Sequence, residues 1–212
     1  FIDRVESWGA RELSYRTEQA RRLIQENGAV YTGSDTQAGR PWPLDGLPML
    51  VSAQDWDQLA AGIAQRARLL EEILRDCYGR QRLVSERLLP PALLFANPNF
   101  LRPCVGLPMD ERPFLTLYAA DAARRADGAW TILNDRTQAP AGMGYALENR
   151  VVIARLFPSL INDCRVHRLA RFFDTLKERL AASSPLSLDS PHTILLSGGP
   201  QAETYFEHVY LA

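Results

Sequence analysis

Residues 114–150 read FLTLYAADAARRADGAWTILNDRTQAPAGMGYALENR, in which two apolar segments lie on either side of a short polar turn. The segments FLTLYAAD and WTILND carry the β-branched and aromatic residues that are typical of strands. Between them stands Asp127-Gly128, a dipeptide that strongly favours a tight hairpin turn. The stretch therefore predicts an antiparallel β-hairpin with acidic residues gathered at one end.

The pairing register of this hairpin determines which acidic side chains meet. A two-residue turn pairs Asp121 with Asn134 and leaves Asp135 on the diagonal, whereas a shift of one residue puts Asp121 and Asp135 on the same face. In either register hard oxygen ligands gather beside Arg136. Because magnesium uses few carboxylates and keeps room for phosphate oxygens, Asp121, Asn134 and Asp135 are candidate metal ligands. The alternative interpretation is a polar turn end whose acids are only solvated.

A glycine-rich turn and a helix follow the hairpin. Gly142 and Gly144 allow a close approach of the backbone to a ligand. The helix YALENRVVIARLF offers free N–H groups and a positive dipole end to an anion. The candidate ligand-binding residues of this segment are Gln138, Gly142, Gly144, Glu148 and Asn149, with Arg150 as a phosphate-neutralising group. Glycines before a helix are also ordinary turn residues. The evidence for a ligand site is therefore that these glycines lie close in sequence to the acidic residues and the arginines.

Composition limits the possible classes of protein. The chain has 212 residues, 46% of them hydrophobic, which is enough for one large or two small globular domains. Its formal charge of −1 gives no basic surface field that would indicate nucleic-acid binding. No apolar run is long enough to span a membrane, and no signal-peptide pattern is present. Three dispersed cysteines predict neither zinc nor a disulfide framework, which favours a cytoplasmic location. Lys177 is the only lysine, and its amphipathic surroundings predict a solvated helix face. A complete ATP site is therefore not expected within these residues alone.

The rest of the chain predicts a mixed α+β (α/β) fold. Helices are expected at 6–27, from Ser52 to Gly79, and at 80–89. Short strands are expected in AVYTG, in ALLFA before the hairpin, and in TILLSGG near the end. The Pro- and Ser-rich link SSPLSLDSP predicts a domain boundary at about 182–190. The loop RPWPLD is expected to be anchored by Trp42, or else to contact a substrate.

Several longer motifs identify a family resemblance. GRPWPLDGLPMLVSAQDW, GIAQRARLLEEILRDCYG, LLPPALLF, NFLRPCVG, YAAD, DRTQAPAGMGYALENR and ETYFEHVYLA resemble the circularly permuted ATP-grasp family, type 2. The resemblance runs from about residue 29 to the end. It implies an N-terminal helix at 1–28, a metal-bearing ATP-grasp lobe at 29–184, and the first strand and helix of a pre-ATP-grasp α/β unit at 185–212.

The resemblance also implies an activity and a set of roles. ATP-grasp ligases use ATP and Mg²⁺ to phosphorylate a carboxylate, and an amine then displaces the acyl phosphate to form an amide bond. A distant similarity to glutathionylspermidine synthase matches Asp121 to a metal-binding aspartate and residues 134–136 to a Glu-x-Asn motif. This sequence departs from that motif, with Asn134-Asp135-Arg136 in its place, so the resemblance leaves open whether Asn134 or Asp135 would touch the metal. Arg136 and Arg150 would neutralise phosphate oxygens, and Asn149 with the turn at 142–144 would orient the acyl phosphate.

Two other functions and the extent of the site are left open by the sequence. A non-catalytic binding scaffold derived from an ATP-grasp lobe, or a hydrolase that uses the same metal site, would fit a similar arrangement. For the ligase, the substrates are an unidentified small-molecule or peptide carboxylate and amine, with neither nucleic acid nor membrane as a partner. The chain stops at Ala212 in a helical pattern that has barely started, so we expect a fragment whose full site needs a missing C-terminal half.

Overall fold

A computed structural model of the chain describes residues 2–31, 39–108, 113–184 and 191–212. These residues form helices and two small antiparallel sheets, which agrees with the predicted α+β class. The helices are α1 (Ile2–Glu26), α2 (Ala53–Tyr78), α3 (Arg82–Ser85), α4 (Pro91–Phe95), α5 (Met143–Leu156), α6 (Pro158–Asp163), α7 (Ala170–Ala182) and α8 (Tyr205–Leu211). The strands are β1 (Val30–Tyr31), β2 (Arg40–Pro41), β3 (Ala119–Arg124) and β4 (Trp130–Arg136). Among the residues that the structure describes, no helix is both long enough and apolar enough to cross a bilayer.

The chain divides into two compact units. Unit 1 combines Phe1–Leu50 with Ala141–Ala212, and unit 2 is Val51–Pro140. Helices α1 and α5 both belong to unit 1. The segments 1–28, 29–184 and 185–212, which the family resemblance implies, stay a prediction. The predicted boundary at 182–190 overlaps residues 185–190, which lie outside the described residues.

Unit 1 is built around α1, α5 and the short β1–β2 ladder. Helix α1 contains a break at Gly9, whose φ of 67° is outside the helical region, and it ends before Gly28, where φ is 68°. The unit has two hydrophobic clusters, which share Leu44 and Leu156 as partly buried neighbours. The buried members of these clusters are Ala20, Ile24, Ala29 and Val152 in one, and Ile153, Phe157 and Leu160 in the other.

The loop that contains RPWPLD packs within unit 1 through Trp42. Its ring stacks on Tyr145 at a centroid distance of 4.2 Å, and its backbone N–H donates to the Ala29 carbonyl at 2.9 Å. Packing of a large aromatic side chain stabilises a loop, and the indole N–H of Trp42 has a partner in Asn149 Oδ1 at 3.0 Å. The prediction that Trp42 anchors this loop is confirmed.

Unit 2 begins with the predicted helix at Ser52. The Ser52 hydroxyl accepts a hydrogen bond from the Asp55 backbone N–H at 3.0 Å and caps α2, which ends before Gly79. Aromatic contacts between Tyr78 and Phe100 and between Tyr78 and Phe114, at 5.1 and 5.9 Å, join the end of α2 to the loops that follow. This packing holds the chain that leads into β3.

Two strand predictions are wrong. ALLFA lies in the helix α4, because Pro91 supplies a preset φ at the first helical position and the next residues bury Leu94 while leaving Leu93 exposed. A short apolar run cannot be assigned to a strand or a helix by its pattern alone. TILLSGG is neither helix nor strand, and Ile194 and Leu196 are 82% and 89% exposed. No neighbouring strand pairs with it among the described residues.

The hairpin forms as predicted, but its turn differs. Arg125 N–H donates to the Ala129 carbonyl at 2.8 Å, and Gly128 has a φ of 85°, which defines a three-residue loop at 126–128 instead of a two-residue turn. This loop alone would place Asp121 opposite Leu133. A β-bulge leaves Leu133 unpaired and restores the pairing of Asp121 with Asn134.

Candidate functional site

One face of the hairpin carries Asp121, Asn134 and Arg136. Asp121 and Asn134 are directly opposite each other, and Arg136 is paired with Ala119, two residues before Asp121, so all three side chains point to the same side. Arg136 Nε lies 3.1 and 3.0 Å from the two Asp121 oxygens, and its Nη2 lies 2.9 Å from Oδ2. The Asn134 amide lies 3.4 Å from the same carboxylate. We call this exposed group the hairpin ligand face.

The charge of Arg136 dominates the electrostatics of the hairpin ligand face. Its hydrogen bonds lower the pKa of Asp121, desolvation opposes part of this effect, and Asn134 adds a smaller lowering of the same pKa. The side chains of Asp121 and Arg136 are 43% and 55% exposed. Exposed ion pairs contribute little to stability, so a solvent cation or anion can compete for either partner at small cost.

Asp135 lies on the opposite face of the hairpin. It pairs with Ala120, and its carboxylate accepts hydrogen bonds from Arg66 of α2 at 3.0 and 2.5 Å and from the Tyr118 hydroxyl at 2.5 Å. Arg66 and then Tyr118 lower the pKa of Asp135, while burial, followed by this hydrogen bond, raises the pKa of Tyr118. Asp135 therefore ties the hairpin to α2.

The structure brings together only part of the predicted metal site. Asn134 meets Asp121, whereas Asp135 does not, because neighbouring residues of a strand point to opposite faces. Among the described residues, no group of three or more His, Cys, Asp or Glu side chains could hold a metal ion. The hairpin ligand face still fits a magnesium ion that has few protein ligands. One carboxylate oxygen and one amide oxygen would bind the ion, and water and phosphate oxygens would occupy its other coordination positions. Arg136 must release Asp121 for such binding.

The predicted anion site at the start of α5 holds a carboxylate from the chain itself. Gly142 N–H donates to the two oxygens of Glu207 at 2.9 and 2.6 Å, and Glu207 is 2% exposed. Gly144 allows this approach, because a Cβ at that position would lie 2.8 Å from Glu207 Cγ. A negative charge at a helix N-terminus is favourable, so Glu207 stabilises the first turn of α5.

Glu148 and Asn149 make contacts within unit 1. Glu148 is 2% exposed and accepts a hydrogen bond from Asn27 Nδ2 at 2.6 Å. Its carboxylate also hydrogen-bonds Tyr210, whose pKa is raised by burial and by this contact. Asn149 Oδ1 accepts from Trp42 Nε1 at 3.0 Å. In the described structure these two residues join α5 to α1, to α8 and to the RPWPLD loop; a role in nucleotide binding stays a prediction.

The remaining candidates are Gln138, Arg150 and His208. Gln138 is exposed in the segment that follows β4 in unit 2. Arg150 in unit 1 donates from Nη1 to the His167 carbonyl at 2.6 Å and borders a cleft. His208 has both ring nitrogens within hydrogen-bond distance of hydroxyl groups, at 3.1 Å from Thr204 and 3.0 Å from Ser197. Such contacts are typical of a structural histidine.

Three residues that organise these sites are not apparent from local sequence patterns. Tyr118 could have been found once the register was known, since it lies two residues before Ala120 on the face that carries Asp135. Arg66 and Glu207 lie 69 and 65 residues from their partners, and no nearby motif indicates either contact.

Comparisons with known proteins agree with the resemblance seen in the sequence. Residues 48–212 match the family described as circularly permuted ATP-grasp type 2. The chain therefore belongs to the circularly permuted ATP-grasp type 2 family, as its motifs predict. ATP-grasp proteins are in general ligases that bind ATP with Mg²⁺.

Similar proteins from bacteria extend beyond this chain. An uncharacterized protein of Mycobacterium bovis is 38% identical over 200 residues, a match that covers 90% of this chain and 23% of that protein. An uncharacterized protein of Mycobacterium leprae is 32% identical over 203 residues, covering 96% and 36%. One of Synechocystis is 30% identical over 178 residues, covering 84% and 37%. The chain thus spans between 23% and 37% of the length of these curated relatives.

Proposed function

We propose that this chain is part of an ATP- and magnesium-dependent carboxylate–amine ligase that forms an amide bond through an acyl phosphate. Membership of the ATP-grasp family supports the reaction class. The observation that carries the proposal is the hairpin ligand face, where Asp121, Asn134 and Arg136 form an exposed polar group on one side of a ribbon. The substrates in this proposal are a small-molecule or peptide carboxylate and an amine.

The residues of the hairpin ligand face have separate roles in the proposal. When bound, magnesium would neutralise charge on the phosphate oxygens of ATP. Asp121 is the carboxylate ligand of the metal, and Asn134 supplies an amide oxygen beside it. Arg136 moves from Asp121 to a phosphate group, for which the guanidinium fork is well shaped. This exchange keeps each charge paired and needs no buried group to become exposed.

Asp135 has a structural role in this proposal. Its carboxylate is held by Arg66 and Tyr118 on the face that contacts α2. It therefore keeps β4 in the position from which Asn134 and Arg136 reach the opposite side. Replacing Asp135 should loosen the hairpin without removing a metal ligand.

A non-catalytic scaffold is the second candidate, and a specific observation favours it. The polar groups expected to bind a nucleotide are already engaged within the chain: Asp121 with Arg136, and the Gly142 N–H with Glu207. In a scaffold these contacts would be permanent, whereas in a ligase at least the exposed Asp121–Arg136 pair must open. The two functions therefore differ in whether Asp121 is required for turnover.

Trapping of the acyl phosphate tests the proposed reaction. A longer protein that contains this chain would be incubated with Mg²⁺, ATP, pooled amino acids and dicarboxylic acids, and hydroxylamine, which converts acyl phosphates to coloured hydroxamates. We expect hydroxamate and ADP to form together in the wild type and to be lost in Asp121→Asn. Asp57→Asn, an exposed aspartate of α2 with the same charge change, is the matched control and should retain both. Equal turnover in Asp121→Asn and Asp57→Asn would refute the role of the hairpin ligand face.

A further inference from the structure

Unit 1 contains a cleft between α5, α6 and α7, which includes none of the residues of the hairpin ligand face. Its volume of about 620 Å³ is in the range of small-molecule sites. The half-buried apolar residues that line it are Leu147, Ala154, Ile161, Val166, Leu169 and Phe173. An open cleft with an apolar floor favours a ligand that has an apolar body.

The rim of the cleft is positively charged. Arg150, Arg165 and Arg168 line it, against Asp174 as the acidic residue among the described lining residues. In the described part of the chain none of these three arginines forms an ion pair with a carboxylate. Arg150 is instead fixed by its hydrogen bond to the His167 carbonyl, which holds the rim segment against α5. Guanidinium groups without acidic partners are suited to pairing with an anionic head group.

Arg165 occupies a position that normally favours glycine. It follows α6 with a φ of 48°, its N–H donates to the Asn162 carbonyl, and the Val166 N–H donates to the Ile161 carbonyl, which is the hydrogen-bond pattern of a Schellman helix end. Left-handed backbone is unfavourable for a long side chain, and such residues are often found at ligand sites. This helix end places the Arg165 side chain among the groups that line the cleft.

We propose that this cleft binds a small organic anion with an apolar body, whose carboxylate or phosphate head pairs with Arg165 and Arg168. The apolar part of the ligand lies on the floor formed by Ile161 and Phe173. The N-terminal residues Leu169 and Ala170 of the α7 region also line the cleft, which adds a positive helix end to the rim. This binding site is independent of the hairpin ligand face, so either proposal can fail without the other.

The chemistry of the cleft can be tested with four probe molecules, which share either an alkyl chain or an acidic group. Calorimetric titration of the chain with octanoate, octyl phosphate, octanamide and acetate separates the contributions of the head and the tail. We expect one of the two amphiphilic anions to bind at least about tenfold more tightly than octanamide and acetate, as charge-assisted hydrogen bonds imply. The tighter of the two anions identifies the head group.

Paired arginine variants locate the binding. Arg165→Asn with Arg168→Gln removes the two rim charges that are proposed to pair with the head group, and asparagine accepts the left-handed backbone, so the fold is kept. We expect this variant to bind the preferred anion about tenfold more weakly. Arg171→Gln with Arg179→Gln removes the same charge from exposed positions of α7 that are not among the lining residues of the cleft, and it should bind as the wild type does. Binding of octanamide equal to that of both anions, no binding of either anion, or an equal loss in both double variants would overturn the proposal.

Discussion

Glu207 holds the first turn of α5 from 65 residues further along the chain, and its removal tests how that helix is positioned. The carboxylate accepts the Gly142 N–H at 2.9 and 2.6 Å and is 2% exposed. In Glu207→Ala the N–H loses its charged partner at a buried position. A hydrogen bond to a charged group contributes about 1.5–3 kcal/mol, and its attraction to the helix dipole is part of the same interaction. We therefore expect a loss of about 2–3 kcal/mol in the free energy of unfolding of unit 1.

Gly144 gives this prediction an internal check. Gly144 is the second residue of α5, where alanine is favoured over glycine by at most the value for a helix interior, about 1 kcal/mol. Here its Cβ would lie 2.8 Å from Glu207 Cγ and 3.2 Å from Glu207 Cα. Overpacking costs about 1–3 kcal/mol, so Gly144→Ala should destabilise the wild type by about 1 kcal/mol net. In the Glu207→Ala background the Cγ contact is gone, and the same substitution should become neutral or stabilising.

Urea unfolding and amide exchange measure these effects. The midpoint should fall at unchanged m in Glu207→Ala, and the Gly142 amide should exchange faster by NMR. Glu203→Ala, an exposed glutamate close to α8, is the matched control and should change neither quantity. The reasoning is refuted if Gly144→Ala stabilises the wild type, or if the effects of Gly144→Ala and Glu207→Ala are additive, because residues in contact must couple.

Two further predictions concern the hairpin and the RPWPLD loop. Hydrogen bonds from Arg136 and Arg66 hold the pKa of Asp121 and the pKa of Asp135, respectively, below the ordinary aspartate value, so both ion pairs persist at neutral pH and are lost as the pH falls through the lowered values. In an NMR titration, the substitution Arg66→Gln should raise the pKa of Asp135 and leave the pKa of Asp121 unchanged. Trp42→Phe keeps an aromatic ring but removes the donor to Asn149, so it should reduce the stability of unit 1 by about 1 kcal/mol in urea unfolding, whereas a loss of less than a few tenths would contradict a structural role for this hydrogen bond.

The hairpin shows what the sequence can and cannot predict about the fold. Asp127-Gly128 between apolar segments correctly predicts an antiparallel pair, and the pairing of Asp121 with Asn134 is also correct. Two departures cancel to give that register: the loop has three residues, and Leu133 is unpaired in a bulge. A bulge depends on the twist and packing of the two strands, which no dipeptide encodes. The helical nature of ALLFA is similarly decided by the proline before it and by burial of Leu94.

For the candidate site, the sequence predicts contacts between neighbouring residues better than contacts between residues that are far apart in the chain. Residue types and alternation indicate that Asp121 and Asn134 share a face, but they do not show that Arg136 covers Asp121. Glycines before α5 predict an anion-ready helix end, and the structure places Glu207 there. Such contacts join residues far apart in the chain, so they depend on packing that local patterns do not contain. The consequence is that groups of the right type for nucleotide binding can already have partners in the folded chain.

Competition between Arg136 and a divalent cation tests the hairpin ligand face most directly. Mn²⁺ stands in for Mg²⁺ because its free form is detected by electron paramagnetic resonance, and both ions prefer oxygen ligands. We predict that Arg136→Gln binds Mn²⁺ more tightly than the wild type, that Asp121→Asn abolishes binding, and that Asp135→Asn retains it. Binding that disappears equally in Asp121→Asn and Asp135→Asn, or that does not change in Arg136→Gln, would contradict the assignment of metal binding to one face of the hairpin.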